Sequence, residues 1–315
     1  MHVVIMESLG ISEQELAARK KPFEEKGIVF TDYARTTDKD TLIAQAKDAD
    51  AMILANMPMP ADVLRACPKM KFIDVAFTGV DHVGLDAARE KNIAVSNASG
   101  YSNEAVSELV IGMTLSLARN MREVEIRCRN GKDKAGLVGW EIKDKTVGII
   151  GLGNIGARSA ALFHAFGARI LAQSRTQHTD WPPYIEQVSQ EDLLMNSDIV
   201  VLHCPLNDST RGMIDAGKIA MMKPTALLIN VARGPVVVAK DLAEALNNDV
   251  IAGAAIDVFD AEPPLAMSEP LLHAKNCLVT PHIAFATQQS MSLRAEIVFD
   301  NLAAWMDGSQ KNKIL

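Results

Sequence analysis

Short apolar runs alternate along the chain with longer stretches in which apolar residues recur every three or four positions. That alternation predicts repeated βα units around parallel sheets. A first set of strands falls at 3–6, 28–30, 51–55, 72–76 and 93–96, and intervening segments such as 13–26 read as helices. One long helix then runs from about Asn103 to Asn130, with Ser102 or Asn103 as its cap and Gly131 as its stop. A second set of six strands follows at 146–150, 170–173, 198–203, 226–231, 251–257 and 277–280, enough for a full doubly wound sheet. Beyond His282 a last helix over 287–306 carries Met291, Leu293, Ile297, Val298, Leu302 and Trp305 and is expected to pack back on the first domain. A Pro-rich break within a domain falls at Trp181-Pro182-Pro183.

A length of 315 residues fits two domains with sizeable cores, and 48% hydrophobic with 23% charged residues excludes disorder and fibrous repeats. With 32 Lys+Arg against 39 Asp+Glu, the formal charge of −7 opposes attraction to nucleic acid or an anionic bilayer. A small anion can still be met by a few local cations. The four cysteines, Cys67, Cys128, Cys204 and Cys277, are scattered without metal-ligand spacing, so no metal site is expected and reduced thiols in the cytoplasm fit best. The N-terminus lacks the cationic and apolar segments of an export signal, and no apolar run reaches membrane-spanning length.

The sharpest local motif is Gly151-Leu152-Gly153-Asn154-Ile155-Gly156, a GxGxxG turn between the strand at 146–150 and a helical segment bearing Ile155, Leu162, Phe163 and Phe166. Glycine lets the backbone turn sharply and approach a pyrophosphate, whose charge the helix N-terminus receives. A carboxylate for the ribose 2′-hydroxyl normally stands about 20 residues further on. Here the next strand ends in Ser174-Arg175-Thr176 instead. Hydroxyls and a guanidinium suit a 2′-phosphate, so NADP(H) is the preferred cofactor and NAD(H) the alternative.

The chain resembles the D-2-hydroxyacid dehydrogenase family over nearly its whole length. The resemblance is carried by Asn97 to Ser102, Val106-Ser107-Glu108, the glycine turn, Leu202-His203-Cys204-Pro205-Leu206, Asn230-Val231-Ala232-Arg233-Gly234, Asp257-Val258-Phe259 with Glu262-Pro263, and Thr280-Pro281-His282-Ile283-Ala284. It implies an α/β protein of two Rossmann-like or flavodoxin-like domains with doubly wound parallel sheets and an active-site cleft between them. The substrate domain is expected at 1–99 with 286–315, and the dinucleotide-binding domain at 100–285. The implied reaction moves a hydride between a nicotinamide and C2 of a small 2-oxo or D-2-hydroxy acid. Arg233, Glu262 and His282 match the catalytic residues. Thr78-Gly79-Val80 matches a turn that gives backbone N–H groups to the substrate carboxylate. Asn154 and Ile155 fall to the pyrophosphate, Cys204 and Pro205 to the adenosine side, and Ala232 and Asp257 to the nicotinamide end. Departures are Ser174 where an acid is usual and Ser107 where alanine is common.

The residue types fit the chemistry. Hydride arriving at C2 builds negative charge on the carbonyl oxygen, which must then take a proton. His282 can donate it near neutral pH, with Glu262 orienting the ring and stabilising the imidazolium. The planar fork of Arg233 can hold the carboxylate and polarise the carbonyl in a way lysine cannot. Phe285 and the loop at 174–176 resemble glyoxylate and hydroxypyruvate reductases, which ranks those substrates first, ahead of D-lactate and bulkier acids. A pocket built from 55–58, Tyr101 and Phe285 would set that choice. A dinucleotide-sensing corepressor is the reading from another class. The resemblance also implies a homodimer formed through the cofactor domain, involving the segment at 103–130.

Overall fold

The computed structural model describes residues 1–176 and 181–315. The chain divides into two compact units, Met1–Ser102 with Ala286–Leu315, and Asn103–Phe285.

In the first unit five parallel strands are ordered β2-β1-β3-β4-β5, with β1 at His2–Ile5, β2 at Val29–Asp32, β3 at Ala51–Leu54, β4 at Phe72–Val75 and β5 at Ala94–Asn97. This is the flavodoxin-like order of a doubly wound sheet. Strands β3 and β4 are buried at every position, as expected of parallel strands covered on both faces. Thr287 caps the terminal helix Gln288–Met306 through a reciprocal capping box with Ser290. That helix lies on this sheet. Its Trp305 ring stacks on Phe72 at 4.7 Å, and Asn301 Nδ2 donates at 3.0 Å both to Asp74 Oδ1 and to the Asn97 carbonyl.

In the second unit seven parallel strands are found among the described residues, in the order β12-β11-β10-β9-β6-β7-β8. They are β6 Thr146–Ile150, β7 Arg169–Gln173, β8 Ile185–Gln187, β9 Ile199–Leu202, β10 Leu227–Asn230, β11 Gly253–Ile256 and β12 Cys277–Val279. The chain reverses direction across the sheet between β6 and β9, the switch point of a dinucleotide fold. Along β9, Val200 and Leu202 enter one core with Leu242 and Leu246, while Ile199 and Val201 enter the other with Phe163 and Ile111. Alternate side chains thus serve helices on opposite faces.

Two expectations are corrected. The edge strand β8 adds a seventh strand to the six read from the sequence; its Ile-Glu-Gln run is too short and too exposed to announce itself. The single helix expected from Asn103 to Asn130 is two helices, Asn103–Ala118 and Met121–Arg129. In an unbroken helix the Ala118 carbonyl would accept the Arg122 N–H. Instead it accepts the Trp140 N–H at 3.0 Å, and Asn120 turns to φ 51°. Gly139 permits this approach, because a Cβ there would lie 2.4 Å from the Ala118 oxygen.

Candidate active site

In the second unit the residues singled out in the sequence gather at the carboxyl ends of its parallel strands. The glycine turn follows β6, Ser174-Arg175-Thr176 follows β7, Cys204-Pro205 follows β9, Ala232-Arg233 follows β10, Asp257 follows β11 and His282 lies beyond β12. Ligands of open α/β sheets bind at this edge.

The three glycines of the turn do different work. Gly151 has φ +96°, and a Cβ on it would stand 2.6 Å from the Cys204 nitrogen, so the turn must pass tightly over the end of β9. Gly156 has no room either, since a Cβ would lie 2.1 Å from the Gly151 carbonyl oxygen where helix packs on strand. At Gly153, by contrast, a Cβ would meet nothing within 4 Å. Gly153 is the N-cap of the helix Asn154–Ala165 and gives it no side-chain cap. Open space in front of uncapped N–H donors is what a pyrophosphate requires, so these residues fit a bound dinucleotide. The hydroxyl of Ser107 donates to the Ile155 carbonyl at 3.2 Å, bracing the helix from beneath.

Arg175 and Thr176 are exposed beyond β7. Gln187 on β8 holds their loop, donating to the Thr176 carbonyl at 2.8 Å. Cys204 is nearly buried, and burial pushes its thiol up to about 11, which makes it a packing residue and not a nucleophile. His203 is structural as well: burial pushes its imidazole down to about 3 and keeps it neutral.

The Arg233 loop is fixed by Asn230, only 1% exposed, whose Oδ1 accepts the Ala232 N–H at 3.1 Å and whose Nδ2 donates to the Arg233 carbonyl at 3.0 Å. Gly234 follows because a Cβ would fall 2.0 Å from the Phe259 carbonyl carbon. Arg233 Nη1 donates to the Ala232 carbonyl at 2.9 Å, and the side chain is half-buried.

Glu262 and His282 meet directly. His282 Nδ1 lies 3.0 Å and 2.9 Å from the two Glu262 carboxylate oxygens, and Phe285 packs edge-on against the imidazole at 5.2 Å. The histidine side chain is 9% exposed and the glutamate 39%. With Nδ1 committed to the carboxylate, Nε2 is the ring nitrogen set to exchange a proton.

The support beneath this pair was not read from the sequence. His282 has φ 56°, and its N–H donates to the Asp257 carbonyl at 2.8 Å. The fully buried Asp257 carboxylate accepts from Thr280 Oγ1 at 2.6 Å and from the N–H groups of Ile283 and Ala284 at 2.9 Å each. Burial raises the Asp257 pKa, while the bonds from Thr280, Ile283 and Ala284 oppose the rise. An aspartate closing a strand and facing a TPHIA segment is the pattern that could have revealed this clamp.

In the first unit Thr78-Gly79-Val80 follows β4 at the carboxyl edge of that sheet. Asn97, at the end of β5, donates from Nδ2 to the Thr78 carbonyl at 2.7 Å. The Thr78 hydroxyl is enclosed and has no hydrogen-bond partner among the described residues. Also among the described residues, no helix is long and apolar enough to cross a membrane.

Comparison with known proteins places these features in context. Residues 111–284 match the family model described as the D-isomer specific 2-hydroxyacid dehydrogenase, NAD binding domain. The chain is 33% identical over 297 residues to a hydroxypyruvate reductase of Blautia hydrogenotrophica, covering 90% of each. It is 35% identical over 278 residues to a glyoxylate reductase of Korarchaeum cryptofilum, covering 86% of this chain and 83% of that one. Among solved structures, a D-lactate dehydrogenase from Aquifex aeolicus complexed with NAD and lactic acid superposes with a TM-score of 0.87 at 25% identity, covering 98% of this chain and 96% of the other.

Proposed function

The chain belongs to the D-isomer specific 2-hydroxyacid dehydrogenase family, and from that premise we propose that it reduces glyoxylate or hydroxypyruvate with NADPH. Its reaction class is that of the family, an NAD(P)-dependent oxidoreductase acting on 2-oxo and D-2-hydroxy acids. When bound, a nicotinamide would supply the hydride for C2.

The protein's own groups do the rest. Nε2 of His282 gives its proton to the C2 oxygen as charge grows there, and Glu262 holds the ring by Nδ1 and balances the imidazolium. Arg233 grips the substrate carboxylate with its planar fork. Within the first unit, Thr78, Gly79 and Val80 offer backbone N–H groups to a carboxylate, and the unpartnered Thr78 hydroxyl supports that assignment. Gly151, Gly153, Asn154, Ile155 and Gly156 would receive the pyrophosphate, Cys204 and Pro205 would line the adenosine and Ala232 the nicotinamide end, while the wholly buried Asp257 holds the His282 segment from beneath. The single observation that carries this reading is the contact of His282 Nδ1 with both oxygens of Glu262.

Preference for NADPH rests on Ser174, Arg175 and Thr176 standing where a carboxylate would repel a 2′-phosphate. A homodimer is supported by the exposed apolar side chains of Met121 and Ile126 on the helix Met121–Arg129 and of Val138 beyond it. Four free cysteines fit the cytoplasm. The test is a matrix of NADPH and NADH against glyoxylate, hydroxypyruvate, pyruvate and larger 2-oxo acids, followed at the absorbance of the reduced nicotinamide. Turnover strongest with NADPH and the two smallest hydroxylated or unsubstituted acids is expected. No turnover with any 2-oxo acid would overturn the proposal.

A further inference from the structure

At the carboxyl edge of the first unit's sheet, one buried carboxylate organises the loop that follows β3. Glu7, just past β1, is 5% exposed. Its Oε1 accepts two main-chain N–H groups, from Ala55 at 2.8 Å and from Met57 at 2.7 Å. Its Oε2 accepts from Arg35 Nη1 at 2.6 Å, and the same nitrogen donates to Asn56 Oδ1 at 2.7 Å. Three successive loop residues are thereby tied to one ion pair, Ala55 and Met57 by their backbone and Asn56 by its amide oxygen. Arg35 reaches them from beyond β2, at the outer edge of the order β2-β1-β3.

Net stability is a poor explanation for such a pair, because apolar residues of equal volume often serve a core as well or better. Fixed geometry is a better one. The loop leaves β3, and the Thr78-Gly79-Val80 turn leaves the adjacent strand β4 at the same edge, where open α/β sheets take their ligands.

We infer that the Glu7–Arg35 pair is a specificity-determining positioning device that fixes the loop 55–57 as the wall against the substituent on the keto carbon of the substrate. The inference rests on the proposed reduction of glyoxylate and hydroxypyruvate. Glyoxylate carries only hydrogen at that carbon and has nothing to press on the wall. Hydroxypyruvate carries a hydroxymethyl group, whose fit depends on where the wall stands. Loosening the pair therefore affects one acid and spares the other.

The experiment compares wild type with Arg35→Gln, Arg35→Lys and Glu7→Gln by steady-state kinetics at saturating reduced cofactor. For Arg35→Gln the KM for hydroxypyruvate is expected to rise about tenfold, since small misplacements of a positioning wall are costly. Its kcat, the KM for reduced cofactor and kcat/KM for glyoxylate should stay within about twofold. Arg35→Lys should recover part of the loss. Equal loss for both acids, or no loss for either, overturns the inference. A wild type that turns over neither acid defeats the proposed function instead. Amide hydrogen exchange then still decides the present question: Ala55 and Met57 should lose protection in Arg35→Gln and Glu7→Gln while β1 and β3 keep theirs. Unchanged protection of the two amides refutes the inference without reference to turnover.

Discussion

The backbone N–H of His282 donates to the carbonyl oxygen of Asp257 at 2.8 Å, and the aspartate's carboxylate takes the next two amides of the chain. His282 sits at φ 56°, a left-handed conformation that costs a non-glycine residue about 1–3 kcal/mol, and this clamp offsets the strain. Asp257→Asn turns an N–H donor toward one of those amides. Its kcat is expected to fall roughly tenfold to a hundredfold through displacement of the imidazole. Wild-type kcat in the variant would show that His282 stands without the clamp.

Alanine in place of each glycine of the turn separates folding from binding. Gly151→Ala and Gly156→Ala press a methyl group into backbone, and each should lower stability by about 1–3 kcal/mol in denaturant titrations. Gly153→Ala meets only open space, so it should fold like the wild type and lose affinity for the dinucleotide. A destabilised Gly153→Ala with unchanged cofactor binding would contradict this division.

Arg175→Ala tests the cofactor choice. Loss of the guanidinium should lower kcat/KM with NADPH about tenfold, with NADH moving less than about twofold. Parallel changes with both cofactors would show that Arg175 does not meet the 2′-phosphate.

Asp74 makes the stability of the fold fall as pH rises above the ordinary carboxylate range. It is wholly buried, and burial raises its pKa well above the ordinary 3.8 despite the bond from Asn301. The native state therefore holds a proton that the unfolded chain releases. This contribution is fully present below about pH 4 and is lost as pH rises toward the native pKa. Asp74→Asn can still accept from Asn301 and has no charge to bury. Between pH 5 and 9 the wild type should lose more stability in urea titrations than the variant. Parallel curves would refute the assignment.

Most of the fold was legible because strands covered on both faces read as unbroken apolar runs, as Ile199–Leu202 and positions 227–229 do. The candidate residues Arg233, Glu262 and His282 stood out because each follows a recognisable strand, and the structure brings Glu262 and His282 into contact. Three features were hidden for physical reasons. Strand β8 is short and half-exposed, so it carries little apolar signal. The helix breaks at Asn120 because the distant Trp140 takes the Ala118 carbonyl, a contact no local pattern encodes. Glu7 and Asp257 organise loops remote in sequence, and an isolated acid gives no sign that its partners are backbone N–H groups.

The central claim is that His282 passes the proton, and the pH dependence of kcat/KM in both directions tests it most directly. Reduction of the 2-oxo acid should slow as pH rises through the range where an imidazole loses its proton, and oxidation of the hydroxy acid should quicken. In His282→Gln both profiles should flatten at rates about 10²- to 10⁴-fold lower. A variant that keeps the wild-type slopes and rates would contradict the account.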